Sequence, residues 1–216
     1  MPRLIIIEDQ RIVQQSLLAA IREYLEVQSV GGFRSMTEAL ANSDALRSAD
    51  VGLVDLHLGE ELAYDFIPQV RQVAPTLRLI WVTSAATQYS ISRALEANLE
   101  GFVHKDDPMP VLVTAIERVA AGKKYISDTV LTMQAAFRKK PDHFEKRLSP
   151  REQGVLALLS QGLTNDEVAA MLKLSPGTVQ AHRRNIMARL DLHSAAELQT
   201  YALKRGFTTL DKLKAR

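Results

Sequence analysis

The chain has 216 residues, 46% of them hydrophobic and 24% charged, a balance that supports one or two folded domains with real cores and argues against a disordered chain. Its formal net charge is +2 and it contains no Cys, which excludes disulfides, thiolate zinc sites and thiol nucleophiles and leaves any chemistry to oxygen and nitrogen groups. No apolar run approaches the roughly 20 residues that span a bilayer, and no signal peptide is recognisable, so a cytoplasmic protein with no membrane partner is expected.

The small net charge conceals a split: it is −6 over residues 1–122, +3 over 123–146 and +5 over 147–216. An acidic first part joined to a basic last part is the pattern of two modules with different partners, the second suited to a polyanion. The expected organisation is a first domain at 1–122, a linker at 123–146 and a second domain at 147–216.

In the first segment, short apolar runs alternate with longer amphipathic stretches, which predicts βα units around a parallel sheet. Runs at 4–7, 27–33, 51–54, 77–82 and 101–103 read as five strands. The stretch 12–25 places Ile12, Leu17, Leu18, Ile21 and Leu25 near one helical face, and Ser35-Met36-Thr37-Glu38 reads as a capping box opening the second helix. Pro75 and Gly122 mark element ends.

Parallel strands send their C-terminal ends to one edge of the sheet, the edge that carries the site in open α/β folds. The first strand ends in Glu8-Asp9, the third in Asp55, the fourth in Thr83-Ser84, and the fifth leads through His104 to Lys105. Any one of these alone reads as a helix cap or a solvated loop residue; the four ends together read as a site. Three carboxylates at one spot offer the hard oxygens of a Mg²⁺ site completed by waters and a phosphate. With the strand order 2-1-3-4-5, Asp55 is central and is the candidate nucleophile for an aspartyl phosphate. Glu8 and Asp9 would join it as metal ligands, and Thr83 and Lys105 would meet the phosphoryl oxygens.

On these residues the first domain resembles the receiver domain of bacterial two-component response regulators, which implies a CheY-like, flavodoxin-like fold: an α/β doubly wound, five-stranded parallel sheet. The resemblance puts the family's acidic pair on Glu8 and Asp9 in LIIIEDQ, its phosphoacceptor on Asp55 in VDLHL, its switch hydroxyl on Thr83 in WVTS, its lysine on Lys105 in GFVHKDD and its switch aromatic on Phe102. The sequence departs from the pattern twice. Glu8 stands where the pair is more usually two aspartates, and Asp106 follows the lysine where a proline in a cis peptide is often found.

Residues 123–146 show a weak apolar spacing at Val130, Met133 and Phe137 and a basic cluster, Arg138-Lys139-Lys140-Pro141, and read as a solvated linker with one helix and no site. Beyond Leu148 the helix starts are regular. Ser149-Pro150-Arg151-Glu152, Thr164-Asn165-Asp166-Glu167 and Ser194-Ala195-Ala196-Glu197 read as capping boxes, and Ser175-Pro176 opens a further helix. With Val155, Leu158, Leu159, Val168, Ala169, Leu172, Val179, Ile186 and Leu190 as core, this predicts an all-α four-helix module. Helices at 165–173 and 176–190 are joined by the turn Leu174-Ser175, which is helix-turn-helix spacing. The second of the two carries Gln180, His182, Arg183, Arg184, Asn185 and Arg189, and its outward face presents Gln180, Ala181 and Arg184 as base-contact candidates. On charge alone, a basic solvated helix of some other small bundle fits equally well.

The run LSPREQGVLALLSQGLTNDEVAAMLKLSPGTVQAHRRNIMARL resembles a LuxR-type helix-turn-helix domain, and the two halves together resemble the NarL/FixJ subfamily of response regulators. Gln180 stands where many relatives have lysine, exchanging a cation for a group able to pair bidentately with adenine. The resemblance implies a transcription factor with a sensor histidine kinase as phosphodonor and double-stranded promoter DNA as target. It is expected to be no enzyme beyond its own phosphorylation on Asp55, and to act as a homodimer, by release of a masked recognition helix, or both. DNA contacts are expected from Gln180, Ala181, His182, Arg183, Arg184 and Asn185. A Mg²⁺-dependent aspartyl phosphohydrolase is disfavoured by His57, which stands where phosphatases of the haloacid dehalogenase type carry a general acid–base carboxylate. A receiver answering to a different ligand would be marked by loss of Asp55, Thr83 or Lys105, and none is lost.

Overall fold

The aliphatic runs form strands because β-branched side chains fit a pleated, two-sided buried surface, and the amphipathic stretches between them form helices. A computed structural model describes residues 1–59, 61–84, 86–139 and 144–209. In order these form β1 (Arg3–Ile7), α1 (Arg11–Tyr24), β2 (Gln28–Phe33), α2 (Met36–Ala41), α3 (Ser43–Ser48), β3 (Val51–Val54), β4 (His57–Leu58), β5 (Glu61–Leu62), α4 (Ile67–Val73), β6 (Arg78–Thr83), α5 (Gln88–Glu96), β7 (Gly101–His104), α6 (Met109–Ala120), β8 (Tyr125–Ile126), α7 (Asp128–Lys139), α8 (Pro150–Leu159), α9 (Asn165–Leu172), α10 (Pro176–Leu190) and α11 (Ala195–Arg205). The chain divides into two compact units, the first of Met1–Ala86 and Ser90–Gln134, the second of Thr87–Tyr89 and the chain from Ala135 onward. Lys140 and Pro141 of the basic cluster, and residues 210–216, lie outside the described residues. Among the described residues no helix is long and apolar enough to cross a membrane.

The main sheet of the first unit is parallel, in the order β2-β1-β3-β6-β7-β8. The five expected strands stand in the expected order, and the difference is a sixth. Tyr125 and Ile126, read in the sequence as linker, pair with Gly101 and Phe102 at the edge of β7. Two residues are too short to show a strand period; the pairing is held by backbone bonds, Tyr125 N–H to Glu100 O and Ser127 N–H to Phe102 O, each 2.9 Å. Alternation along the strands sends Leu4, Ile6, Val51, Leu53, Ile80, Val82 and Val103 to one face, where Ile21 of α1 and Leu112, Ile116 and Val119 of α6 cover them. Ile5, Ile7, Val54, Trp81 and Phe102 alternate to the other face and are equally buried.

Two helix expectations are corrected. Ile12 is 75% exposed whereas Ile21 is buried, because nine residues at about 3.6 per turn put them on opposite sides of α1. The expected second helix is two, α2 and α3, parted at Asn42. Ser35 caps α2 by accepting the Glu38 N–H, but the Glu38 carboxylate takes the Arg34 N–H at 2.7 Å, one residue short of a reciprocal box.

In the second unit the reciprocal boxes at Ser149 and Thr164 both form, each side-chain cap being worth about 1 kcal/mol. At Ser194 the side chain caps Glu197 N–H, while the Glu197 carboxylate reaches His193 N–H at 2.7 Å instead. Helices α9 and α10 close on left-handed residues that are not glycine, Lys173 (φ 54°) and Asp191 (φ 57°). Val155, Leu159, Val168, Ala169, Val179, Ile186 and Leu190 are buried as expected, joined by Leu156, Leu198, Ala202 and Phe207; Leu158 and Leu172 are half-buried.

Candidate functional site

The register of the sheet decides which side chains meet at its C-terminal edge. Ile7 stands beside Val54, Val54 beside Trp81, and Trp81 beside Phe102. The residues that follow this row in β1 and β3 are Glu8 and Asp55, on adjacent strands. Both are anchored through the backbone, Asp55 N–H to Ile7 O at 2.9 Å and Glu8 N–H to Phe33 O at 3.0 Å. Thr83 ends β6 opposite His104, and its carbonyl accepts the Lys105 N–H at 2.9 Å.

From that anchored position the Lys105 side chain reaches back to both acids. Its Nζ donates to Asp55 Oδ2 at 2.6 Å and to Glu8 Oε2 at 2.7 Å, charge-assisted bonds of the strong kind. The other oxygens are held by the backbone: His57 N–H approaches Asp55 Oδ1 at 3.4 Å and Gln10 N–H approaches Glu8 Oε1 at 3.3 Å. Burial works against the ammonium, but Asp55 and Glu8 outweigh it and raise the Lys105 pKa. Glu8 carries the opposing cost. Burial pushes its pKa up, only partly offset by Lys105, and the Asp55 charge pushes it further.

Asp9 does not join this pair. Among the described residues no group of three or more metal-ligating side chains is gathered, so the expected convergence of three acids is one of two. Asp9 follows Glu8 in the bend where the chain leaves β1, and its backbone carbonyl accepts the Arg34 guanidinium N–H at 3.2 Å. The donor chemistry nevertheless fits a hard divalent cation, since two carboxylates at a partly open edge leave positions for water and phosphate.

Behind the acids lies an aromatic row. Phe102 is buried, and its ring meets Trp81 edge-on with centroids 5.7 Å apart; the Tyr64 ring is also near Trp81, with centroids 6.2 Å apart. Thr83 is two residues beyond Trp81 on the same side of β6 and is itself buried. The Lys105–Asp106 peptide is trans.

In the second unit α10 buries Val179, Ile186 and Leu190 and exposes Gln180, Arg184 and Asn185; Ala181, His182 and Arg183 are half-buried. Arg189, part of the same cationic run, is engaged elsewhere. Its guanidinium pairs at 2.8 Å with the buried Glu152 carboxylate, which also accepts the Ser149 N–H and hydroxyl. Burial opposes the Glu152 charge, but Ser149, Arg189 and His182 outweigh it and hold its pKa below the ordinary carboxylate range. The sequence marks Glu152 as a capping residue; its reach to Arg189, 37 positions on, has no local signal. Asp107 escaped notice as well, although the doubled acid of KDDP before a helix-opening proline is visible once sought.

Comparisons with known proteins agree with this arrangement. The response regulator receiver domain family matches residues 4–117, and the luxR family of bacterial regulatory proteins matches residues 146–202. Fimbriae Z protein of Salmonella typhimurium is 28% identical over 92% of this chain and 94% of its own length. Response regulator protein VraR of Staphylococcus aureus is 22% identical over 94% of this chain and 97% of its own. Among solved structures, the complex of the two-component response regulator RcsB with DNA superposes with a TM-score of 0.62 at 26% identity, over 94% of this chain and 98% of that one. RcsB from Salmonella enterica serovar Typhimurium, bound to promoter P1flhDC in the presence of phosphomimetic BeF3-, gives 0.63 at 26% over 93% and 97%.

Proposed function

Because this chain belongs to the response regulator receiver family and continues into a luxR-type domain, we propose that it is a DNA-binding transcription regulator of a two-component phosphorelay, switched by a phosphoryl group on Asp55. The observation that carries the reading is the Lys105 ammonium held at 2.6 Å from Asp55 and 2.7 Å from Glu8. A cation fixed against the central carboxylate is what a newly formed acyl phosphate needs beside its oxygens.

In the transfer, an Asp55 carboxylate oxygen forms a bond to phosphorus as the bond to the donor breaks. The donor is the phosphohistidine of a sensor kinase, whose P–N bond breaks and whose imidazole takes a proton, or a small acyl phosphate, whose P–O bond breaks. Lys105 then exchanges part of its contact with Asp55 for a phosphoryl oxygen, and the Thr83 hydroxyl donates to another. Glu8, Asp9 and Asp55 would hold Mg²⁺, which would supply positive charge against the phosphoryl oxygens. The inward movement of Thr83 opens room for Phe102 to repack. The family is one of regulators and not of classical enzymes, so the product of this chemistry is the modified protein itself.

The output is binding of promoter DNA by α10, in the cytoplasm, as a homodimer on paired half-sites. RcsB, the neighbour at 26% identity, is a DNA-bound two-component regulator, and the exposed Gln180, Arg184 and Asn185 suit a major groove. With Ala181, His182 and Arg183 they form the contact set. Incubation with acetyl phosphate and Mg²⁺, followed by intact-mass and peptide analysis, tests the reading: one phosphoryl group is expected on Asp55 and none on the Asp55→Asn protein. Labelling of Asp55→Asn, or labelling indifferent to Mg²⁺, would overturn it.

A further inference from the structure

The loop that carries Lys105 runs from His104 to Asp107 and is clamped at its far end. Asp107 Oδ2 accepts the His104 N–H at 2.9 Å, while Asp107 N–H donates to His104 O at 3.0 Å. Asp107 Oδ1 accepts the hydroxyl of Thr129. Ser127 is fully buried, donates its own N–H to Phe102 O at 2.9 Å, and accepts the Val130 N–H on its hydroxyl at 3.5 Å. The start of α7 is thus tied at one point to the β7 backbone under Phe102 and, through Asp107, to the two ends of the turn that presents Lys105.

This clamp matters because a lysine side chain is a long flexible stem. To keep Nζ within 2.6–2.7 Å of two carboxylates, its backbone has to be fixed, and a misplacement of about 1 Å at a reacting centre can cost roughly a hundredfold in rate. Thr83 O fixes the loop on one side through the Lys105 N–H. Asp107 fixes it on the other. A carboxylate is suited to the task, being acceptor-only with two oxygens that can take several donors from different directions at once.

We propose that Asp107 is a positioning residue for phosphoryl transfer to Asp55: by binding His104 N–H together with the Thr129 hydroxyl it sets the Lys105 ammonium, so that the start of α7 and the phosphoryl state of Asp55 bias one another. The inference rests on Asp55 being the phosphoacceptor. A phosphate that draws Lys105 inward pulls on α7, and a change at Thr129, by loosening the loop that presents Lys105, alters how readily the phosphate is gained and how long it stays.

The test uses the full chain with phosphoramidate and Mg²⁺, following phosphate on Asp55 by mass and fitting the maximal rate separately from the donor concentration at half-maximal rate. Thr129→Val, which keeps the shape and removes the hydroxyl, is expected to change the maximal rate or the phosphoryl lifetime by roughly 2- to 30-fold, the range for substitutions along a coupling network, when assayed well below the melting midpoint, which the lost bond to Asp107 lowers. Thr129→Ser is expected to restore wild-type kinetics, Asp107→Asn to depart from wild type at least as far as Thr129→Val because one of its two acceptor oxygens becomes a donor, and Asp128→Ala, exposed on the same turn, to change nothing. A fold-damaging Asp107 variant does not remove the test, because Thr129→Val carries it alone. Wild-type kinetics in Thr129→Val would overturn the proposal while leaving the phosphoacceptor assignment standing. Failure of the wild type itself to take phosphate on Asp55 would overturn both.

Discussion

The indole of Trp81 lies edge-on to the ring of Phe102, with centroids 5.7 Å apart and planes at 83°. Trp81 is the single tryptophan of the chain, it is fully buried, and its indole N–H has no hydrogen-bond partner among the described residues. Its emission therefore reports directly on whether Phe102 moves. Phosphorylation is expected to shift or quench the intrinsic fluorescence, and Thr83→Ala to accept phosphate without that change, because the hydroxyl that draws β6 toward the phosphate is gone. An unchanged spectrum in wild type, with phosphate on Asp55 verified, would mean that Phe102 does not repack.

Asp9 stands apart from the two acids that Lys105 joins. If it helps to hold the cation, Asp9→Ala should raise the Mg²⁺ concentration needed for half-maximal phosphorylation by about tenfold or more, the cost of losing even an outer partner at a metal site, with little effect on the maximal rate at saturating Mg²⁺. Titration of Mg²⁺ at fixed acetyl phosphate gives both quantities. An effect confined to the maximal rate would remove Asp9 from metal binding.

Two arginines five residues apart in α10, Arg184 and Arg189, are predicted to behave differently. Arg184 is exposed, and Arg184→Ala should weaken specific DNA binding by about 1–3 kcal/mol if it reads a base edge, with unfolding unchanged. Arg189 pairs with buried Glu152, so Arg189→Ala should destabilise the second unit. The cost is near the lower end of about 1.5–3 kcal/mol for a hydrogen bond to a charged group, because Arg189 is itself over half exposed. Gln180→Lys should change base preference more than overall affinity. Binding isotherms on matched and mutated sites, beside denaturant curves, separate these roles; equal weakening on every sequence would make Arg184 a phosphate contact.

Glu152 also sets an acid limit on the second unit. Its carboxyl is held below the ordinary range in the fold, so the stability it contributes is present above the unfolded-state pKa and is lost as pH falls through the depressed folded value. Unfolding of the α8–α10 amides, followed by hydrogen exchange between neutral pH and pH near 3, should show this loss, and Glu152→Gln should flatten it. Identical pH dependence in the two proteins would assign the acid sensitivity elsewhere.

Much of this was legible in the sequence because the signals are local. Strand runs, the Ser149 and Thr164 capping boxes and the strand-end residues Glu8, Asp55, Thr83 and Lys105 lie within short windows where period and chemistry coincide. What escaped depends on distance or on fine geometry. Tyr125 and Ile126 become a strand only because β7 offers them a free edge; Ile12 falls off the apolar face by an accumulated angle; Glu38 and Glu197 cap one residue earlier than the box pattern implies. Asp107 and Glu152 act on partners 22 and 37 positions away, which no spacing rule reaches.

The most direct test of the account is the DNA affinity of the full chain with and without phosphate on Asp55, measured at one fixed salt concentration because phosphate contacts make affinity steeply salt-dependent. Phosphorylated wild type is expected to bind its promoter sites more tightly by roughly 5- to 150-fold, a coupling of about 1–3 kcal/mol, and Asp55→Asn is expected to stay at the unphosphorylated affinity whether or not phosphodonor is present. Equal affinity of the phosphorylated and unphosphorylated wild type, with modification of Asp55 verified in the same samples, would contradict it.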